Sequence, residues 1–161
     1  MKRLFLLFAL MAVLLGQVTA QQTKAPTRVY NLATLRDALE MIQSAKHEIW
    51  LLAPTLKNAS VYQALSSRIK SGVVLRLLIA NKQGYTGYEV YLARARNVDA
   101  RWLPERWGTA MLVVDDRAMV TSPLLTGISS SGASIKVTQP ELVAVLAAPL
   151  KQVFAQSRKL K

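Results

Sequence analysis

The chain has 161 residues, 52% of them hydrophobic, with 21 Lys and Arg against 9 Asp and Glu, a single His and no Cys. That length is one domain's worth of chain, and the missing cysteines exclude a disulfide framework and a lipid-anchoring Cys behind a leader. The formal charge of +12 attracts polyanions such as nucleic acid, an anionic membrane surface or acidic glycan, although net charge also serves solubility alone.

Lys2 and Arg3 form a short positive region, Leu4 to Leu15 is an unbroken apolar run, Gly16 breaks it, and Val18-Thr19-Ala20 offers a cleavage site. This three-part pattern predicts a secretory signal peptide over residues 1–20; the run is shorter than the roughly 20 apolar residues of a membrane span. Cleavage near Ala20 implies a periplasmic or secreted protein and takes two from the +12. Residues 21–28, polar and with Pro26, read as a flexible lead-in, and 29–161 as a single domain.

Leu32, Leu35, Leu39 and Ile42 recur at helical spacing and predict an amphipathic helix ending near Lys46. Ile49 to Ala53, stopped by Pro54, reads as a buried strand. Val61 to Ile69 predicts a second helix closed by Ser71-Gly72, and Val73 to Ala80 a second buried strand interrupted only by Arg76. A helix over Tyr88 to Arg96 and a strand over Val98 to Leu103 follow. Thr109 to Val114 has the continuous apolar core of a strand covered on both faces, Asp115-Asp116-Arg117 is a turn, and Ala118 to Thr121 returns as a strand. After a Gly/Ser loop, Ser134 to Val137 is the last strand. Thr138 and Glu141 have capping-box spacing and open a final helix in which Pro149 is expected to cause a kink or a split. Strands alternating with helices give an α/β fold, a mixed β-sheet sandwiched by helices.

Catalytic signals are few. One His and scattered acids leave no metal-ligand set. Gly84-Tyr85-Thr86-Gly87 lacks the Lys and the spacing of a phosphate loop, so no cofactor is expected. Asp115 and Asp116 are adjacent and suit a turn better than a paired-carboxylate site. His47, flanked by Lys46 and Glu48, reads as a solvated strand-end residue.

The order of segments resembles a phospholipase D superfamily half-domain, specifically its small secreted endonuclease-like branch. The residues that carry this are Ile42-Gln43-Ser44-Ala45-Lys46 before Glu48-Ile49-Trp50, then Ala64-Leu65 and Ser71-Gly72-Val73-Val74-Leu75-Arg76-Leu77-Leu78-Ile79, then Leu112-Val113-Val114-Asp115-Asp116. The resemblance spans Val29 to Phe154 and implies a homodimer. It also implies a signature His-x-Lys-x-x-x-x-Asp followed by Gly-Ser, in which one His attacks phosphorus, its counterpart protonates the leaving oxygen, and the Lys neutralises phosphoryl charge. With the signature Asp at Asp115, the His position is Gly108 and the Lys position is Ala110; shifted onto Asp116, they are Thr109 and Met111. The Gly-Ser element falls on Ser122-Pro123. Only the acid survives, so no catalytic residue is expected: nucleophilic catalysis needs an activated nucleophile and its proton partner.

Just before this strand, Arg94, Arg96, Arg101 and Arg106 interleave with Trp102 and Trp107. Arginines that grip phosphate beside aromatics that stack on bases suit single-stranded nucleic acid; two core tryptophans beside a solvated face would give the same pattern. The sequence thus predicts a non-hydrolysing binder of anionic phosphodiesters such as DNA or phospholipid head groups. A phosphodiesterase with displaced or partner-supplied catalytic residues, and a scaffold that only makes interactions, stay open. The basic residues Lys151, Arg158, Lys159 and Lys161 read as the end of the last helix, complementing its dipole.

Overall fold

The computed structural model describes residues 31–81, 86–105, 107–129 and 132–159; the leader, the lead-in, Arg106 and Lys161 lie outside them. The strands are β1 (Asn31–Leu32), β2 (Glu48–Ala53), β3 (Val74–Ala80), β4 (Val98–Leu103), β5 (Ala110–Val114), β6 (Ala118–Ser122), β7 (Ile135–Val137) and β8 (Arg158–Lys159). The helices are α1 (Leu35–Ser44), α2 (Ala59–Lys70), α3 (Glu89–Leu92) and α4 (Pro140–Gln156). All the strands join one sheet in the order β1-β7-β6-β5-β2-β3-β4-β8. β2, β3 and β4 run parallel, and the remaining pairings are antiparallel.

Side chains alternate across a strand, and here both sides are covered. Ile49, Leu51, Leu75, Leu77, Leu112 and Val114 face one core, closed by Ala38 and Ile42 of α1 and Val61 and Leu65 of α2. Leu52, Leu78, Met111 and Val113 face the other, closed by Val143, Leu146, Leu150 and Phe154 of α4. Two-sided burial explains why β3 and β5 read as continuous apolar runs. Among the described residues, no helix is long and apolar enough to cross a membrane.

The sequence reading places the central elements correctly and errs at their margins. The first helix starts at Leu35, not Leu32. Thr34 caps it by accepting from the Asp37 N–H at 3.2 Å while Asp37 Oδ2 accepts from the Thr34 N–H at 2.8 Å, a capping box. Leu32, 82% exposed, instead pairs with Ile135 at the sheet edge. Helix α2 ends as expected: Gly72 takes φ +97° while Gly72 and Val73 donate to the carbonyls of Ile69 and Arg68, the pattern of a Schellman motif.

The helix expected over Tyr88 to Arg96 shrinks to Glu89–Leu92, because Arg94 and Ala95 donate to the carbonyls three residues back, a tighter turn than the α-helix. The final helix is capped at Gln139, not Thr138, and no side chain bonds there. Pro140 occupies its first turn, where the N–H it lacks would have been unpaired and its fixed φ suits the helix. Arg158 and Lys159 leave the helix to form β8 on β4, so they do not serve its dipole.

α4 is not split; it runs through Pro149 from Pro140 to Gln156. The proline removes one internal hydrogen bond and crowds the carbonyl four residues before it, and the packing of Leu146, Leu150 and Phe154 holds the helix together across that point. Replacing it should therefore raise stability. Pro149→Ala is expected to gain about 2 kcal/mol, seen as a rise in thermal midpoint by differential scanning calorimetry.

Candidate functional site

β2, β3 and β4 end at Ala53, Ala80 and Leu103, and antiparallel β5 begins beside the end of β2, Leu52 opposite Met111. The signature stretch therefore sits at the carboxyl end of the parallel strands, the usual end for ligands in open α/β sheets. Its two leading positions hold no functional group. Gly108 is exposed, and a Cβ built on it would meet nothing within 4 Å. Ala110 is 0% exposed within the first core, so its methyl is a packing group.

Opposite Ala110 in the β5–β6 register stands Ser122. Its Oγ lies 2.6 Å from Ser134 Oγ and accepts from the Leu124 N–H at 3.1 Å, capping a short 3-10 turn over Pro123–Thr126. Both serines are 2% exposed. A serine nucleophile needs an adjacent base, and this hydroxyl is hydrogen-bonded within a buried cap instead.

The acid of the signature is tied to the backbone. Val114 to Arg117 is a hairpin turn with Asp115 at φ 51° and Asp116 at φ 55°, closed by Arg117 N–H donating to the Val114 carbonyl at 3.0 Å. Positive φ at both central residues defines the type I′ turn, which Asp tolerates better than most residues. The Asp115 carboxylate accepts from three backbone N–H groups, those of Lys46 (2.8 Å), His47 (2.9 Å) and Glu48 (2.9 Å). Burial pushes its carboxyl up; the hydrogen bonds from the Glu48, Lys46 and His47 amides and the coulombic pull of His47 outweigh it and hold the group below its ordinary 3.8. Asp116 turns the other way and pairs with Lys151 at 2.6 Å, the same ammonium lying 5.3 Å over the Trp50 ring.

This places Asp115 at the opposite end of β5 from Gly108 and Ala110, together with His47 at the start of β2. The six residues of β2 separate His47 from the signature end by roughly 17 Å. His47 is exposed there, as the sequence reading expects of a strand-end residue, and does not share a cleft with positions 108 and 110 of its own chain.

The described members of the Arg and Trp set do not assemble into one platform. Trp102 packs on the first core and donates its indole N–H to the Asn81 carbonyl at 2.9 Å, whereas Trp107 packs on the second core, across the sheet. Arg101 contacts Asp99, donates to the Phe154 and Ala155 carbonyls at the end of α4, and stacks on the Phe154 ring at 4.5 Å; it fastens α4 to β4. Arg94 and Arg96 are exposed on the connection between α3 and β4.

A feature the sequence reading missed is Glu89. It is 0% exposed, and its carboxylate accepts from the Leu56, Thr86 and Gly87 N–H groups, each at 2.8 Å, and from Thr55 Oγ1 at 3.1 Å. It locks the two loops bordering an open groove of about 350 Å³ lined by Lys57, Thr86, Gly87, Tyr88 and Tyr91. Gly87 must be glycine, since a Cβ there would run into the Leu56 carbonyl and the Glu89 carboxylate. Among the described residues, no group of three or more His, Asp or Glu is placed to hold a metal.

No protein-family model matches the sequence, and no curated protein is similar enough to count as a relative. Solved structures do match. NucT from Helicobacter pylori superposes with a TM-score of 0.68 at 13% identity, over 81% of this chain and 98% of its own. Nuc from Salmonella typhimurium, a phospholipase D family member, gives 0.66 at 18% identity, over 82% and 97%. TrmBL2, an archaeal chromatin protein with a novel mode of DNA binding, gives 0.61 at 13% identity over 94% of this chain, which spans 61% of that protein. At these identities the likeness concerns the fold. The chain has the phospholipase D-like fold, as its segment order implies.

Asp115→Ala should cost about 2 kcal/mol at neutral pH, because three amides lose a charged acceptor and a left-handed position loses a residue suited to it. Asp115→Asn, which keeps one acceptor oxygen and tolerates positive φ, should cost less. A carboxyl held below its unfolded value stabilises above that value and loses the contribution as pH falls through the folded one. The gap between wild type and Asp115→Asn should therefore be full above pH 3.8 and close below it, as read by denaturant titrations across that range.

Proposed function

We propose that this chain is an exported, non-hydrolysing protein of the phospholipase D-like fold that binds anionic phosphodiesters, nucleic acid foremost. The observation that carries the reading is the pair of positions 108 and 110, where the signature demands an imidazole and an ammonium group and this chain supplies a hydrogen and a fully buried methyl. Without them the fold offers phosphorus neither a nucleophile nor charge neutralisation. Loss of such cooperating groups typically removes several orders of magnitude of rate.

Binding is supported by the charge, +10 once the leader's Lys2 and Arg3 are taken from the +12, and by a DNA-binding chromatin protein among the structural neighbours. Export is supported by the pattern over residues 1–20, and a homodimer by the family resemblance alone; sedimentation at monomer mass would remove the dimer from the proposal.

The test sets duplex DNA, single-stranded DNA and anionic vesicles against the full chain at two salt concentrations, beside nuclease and phospholipase assays without added metal. DNA binding without turnover is expected, with affinity falling on the order of a thousandfold between ~50 and ~200 mM salt if several phosphates are neutralised. Hydrolysis that disappears on substitution of Gly108 or Ser122 would overturn the non-catalytic reading, and absence of binding to DNA and vesicles alike would leave a scaffold.

A further inference from the structure

Four chain connections meet at the end of the sheet opposite the degenerate signature: the β5–β6 turn and the entries into β2, β3 and β4. These strands are neighbours in the order β6-β5-β2-β3-β4, so the connections line up along one rim. Two side chains clamp them. Asp115 binds the amides of Lys46 to Glu48 to the β5–β6 turn. The Asn97 side-chain amide, at the entry to β4, donates to the Ile69 and Val73 carbonyls at 2.9 and 2.7 Å, fixing the entry to β3.

Each connection carries an exposed cation: Arg117 on the turn, Lys46 before β2, Lys70 before β3 and Arg96 before β4. None of these takes part in an ion pair among the described residues. The acids on these four connections and at the strand starts beside them are already engaged: Asp115 with backbone amides, Asp116 with Lys151, and Glu48 and Asp99 with Arg76. A row of cations is left unneutralised on a rigid edge. From β5 to β4 it spans three strand spacings, roughly 14 Å, or about four steps of a nucleic-acid strand at ~3.4 Å each.

We infer that this rim is a binding surface for the phosphate backbone of double-stranded nucleic acid, read without regard to base sequence. The inference rests on the nucleic-acid reading above and adds where the duplex is held and in which form. Single strands are held largely by stacking on aromatic rings, and the two tryptophans of the Arg/Trp set are half-buried against opposite cores, away from the four connections. Membrane surfaces are held by cations together with inserted apolar side chains. The exposed large apolar residues among those described, Leu32, Tyr91, Ile128, Ile135 and Val145, do not lie on any of the four connections.

The experiment measures binding of a fluorescent duplex of ~20 base pairs, a length chosen to exceed the rim's span, across a salt series. The proteins are the full wild-type chain, Lys46→Gln/Arg117→Gln, Lys70→Gln/Arg96→Gln, and Lys57→Gln at the other end as control. Each rim pair should weaken binding about tenfold or more and lower the slope of log affinity against log salt by roughly 1.8, about 0.9 for each phosphate no longer neutralised, with thermal midpoints unchanged. Lys57→Gln should match wild type. If the rim variants bind duplex with the wild-type slope, the rim is wrong while the nucleic-acid reading stands; if wild type binds no DNA, both fall. Tighter binding of the same rim to phosphatidylglycerol vesicles than to duplex would overturn the assignment to nucleic acid.

Discussion

All five residues of β5 are buried, and β2 and β3 are apolar at nearly every position on both sides. A strand in that situation cannot end a sheet or face water, so it must have a neighbour on each flank and a helix on each face. Chain order then leaves few solutions. β2 and β3, joined through α2, pair in parallel, and β5, which enters from the far end, completes the other flank of β2 antiparallel. α1 and α2 close one face and α4 the other. The burial requirement is satisfied within the chain's own layers and makes no demand on the side chains at either end of the sheet.

The two ends are consequently free to diverge. At the carboxyl end, these side chains serve the scaffold: Ala110 packs in the first core, Ser122 and Ser134 bond to each other, and Glu89 serves four donors of the neighbouring loops. At the other end, Asp115 and Asn97 fasten the connections through backbone groups. Because Asp115 bonds amides and not a cation, it organises the rim without neutralising its positive charge. A carboxylate satisfied by N–H groups is as well settled as one in an ion pair and leaves the neighbouring Lys and Arg available.

How much of this was legible in the sequence follows from the range of each interaction. Val98–Leu103 coincides with β4, and the buried strands and α2 emerge because burial imprints a local pattern of apolar residues. His47 as a solvated strand-end residue was readable from its charged flanks. The edge strands Asn31–Leu32 and Arg158–Lys159 were not: two residues carry no periodicity, and their partners β7 and β4 are distant in sequence. The Thr34–Asp37 box was not read from the sequence, where the helical spacing of the leucines drew in Leu32, a residue that the sheet edge claims. The division of Trp102 and Trp107 between faces depends on the chain's reversal between β4 and β5, and the roles of Asp115 and Glu89 on backbone amides far away in the chain. The rim is the extreme case. Lys46, Lys70, Arg96 and Arg117 lie in four separate stretches, and only the strand order makes them neighbours.

The residues at positions 108 and 110 also agree with what stability favours. An ammonium group buried at position 110 would pay a desolvation cost of several kcal/mol unless a phosphate or a carboxylate met it, whereas the alanine there joins Leu112, Val114 and Val120 in the core. Functional sites commonly retain groups that the fold would be more stable without, and such groups persist only while their chemistry is under selection. The positive charge of Lys46, Lys70, Arg96 and Arg117 resides in exposed side chains, whose placement costs the fold little, and not in a pocket whose polar groups must be held in place against burial.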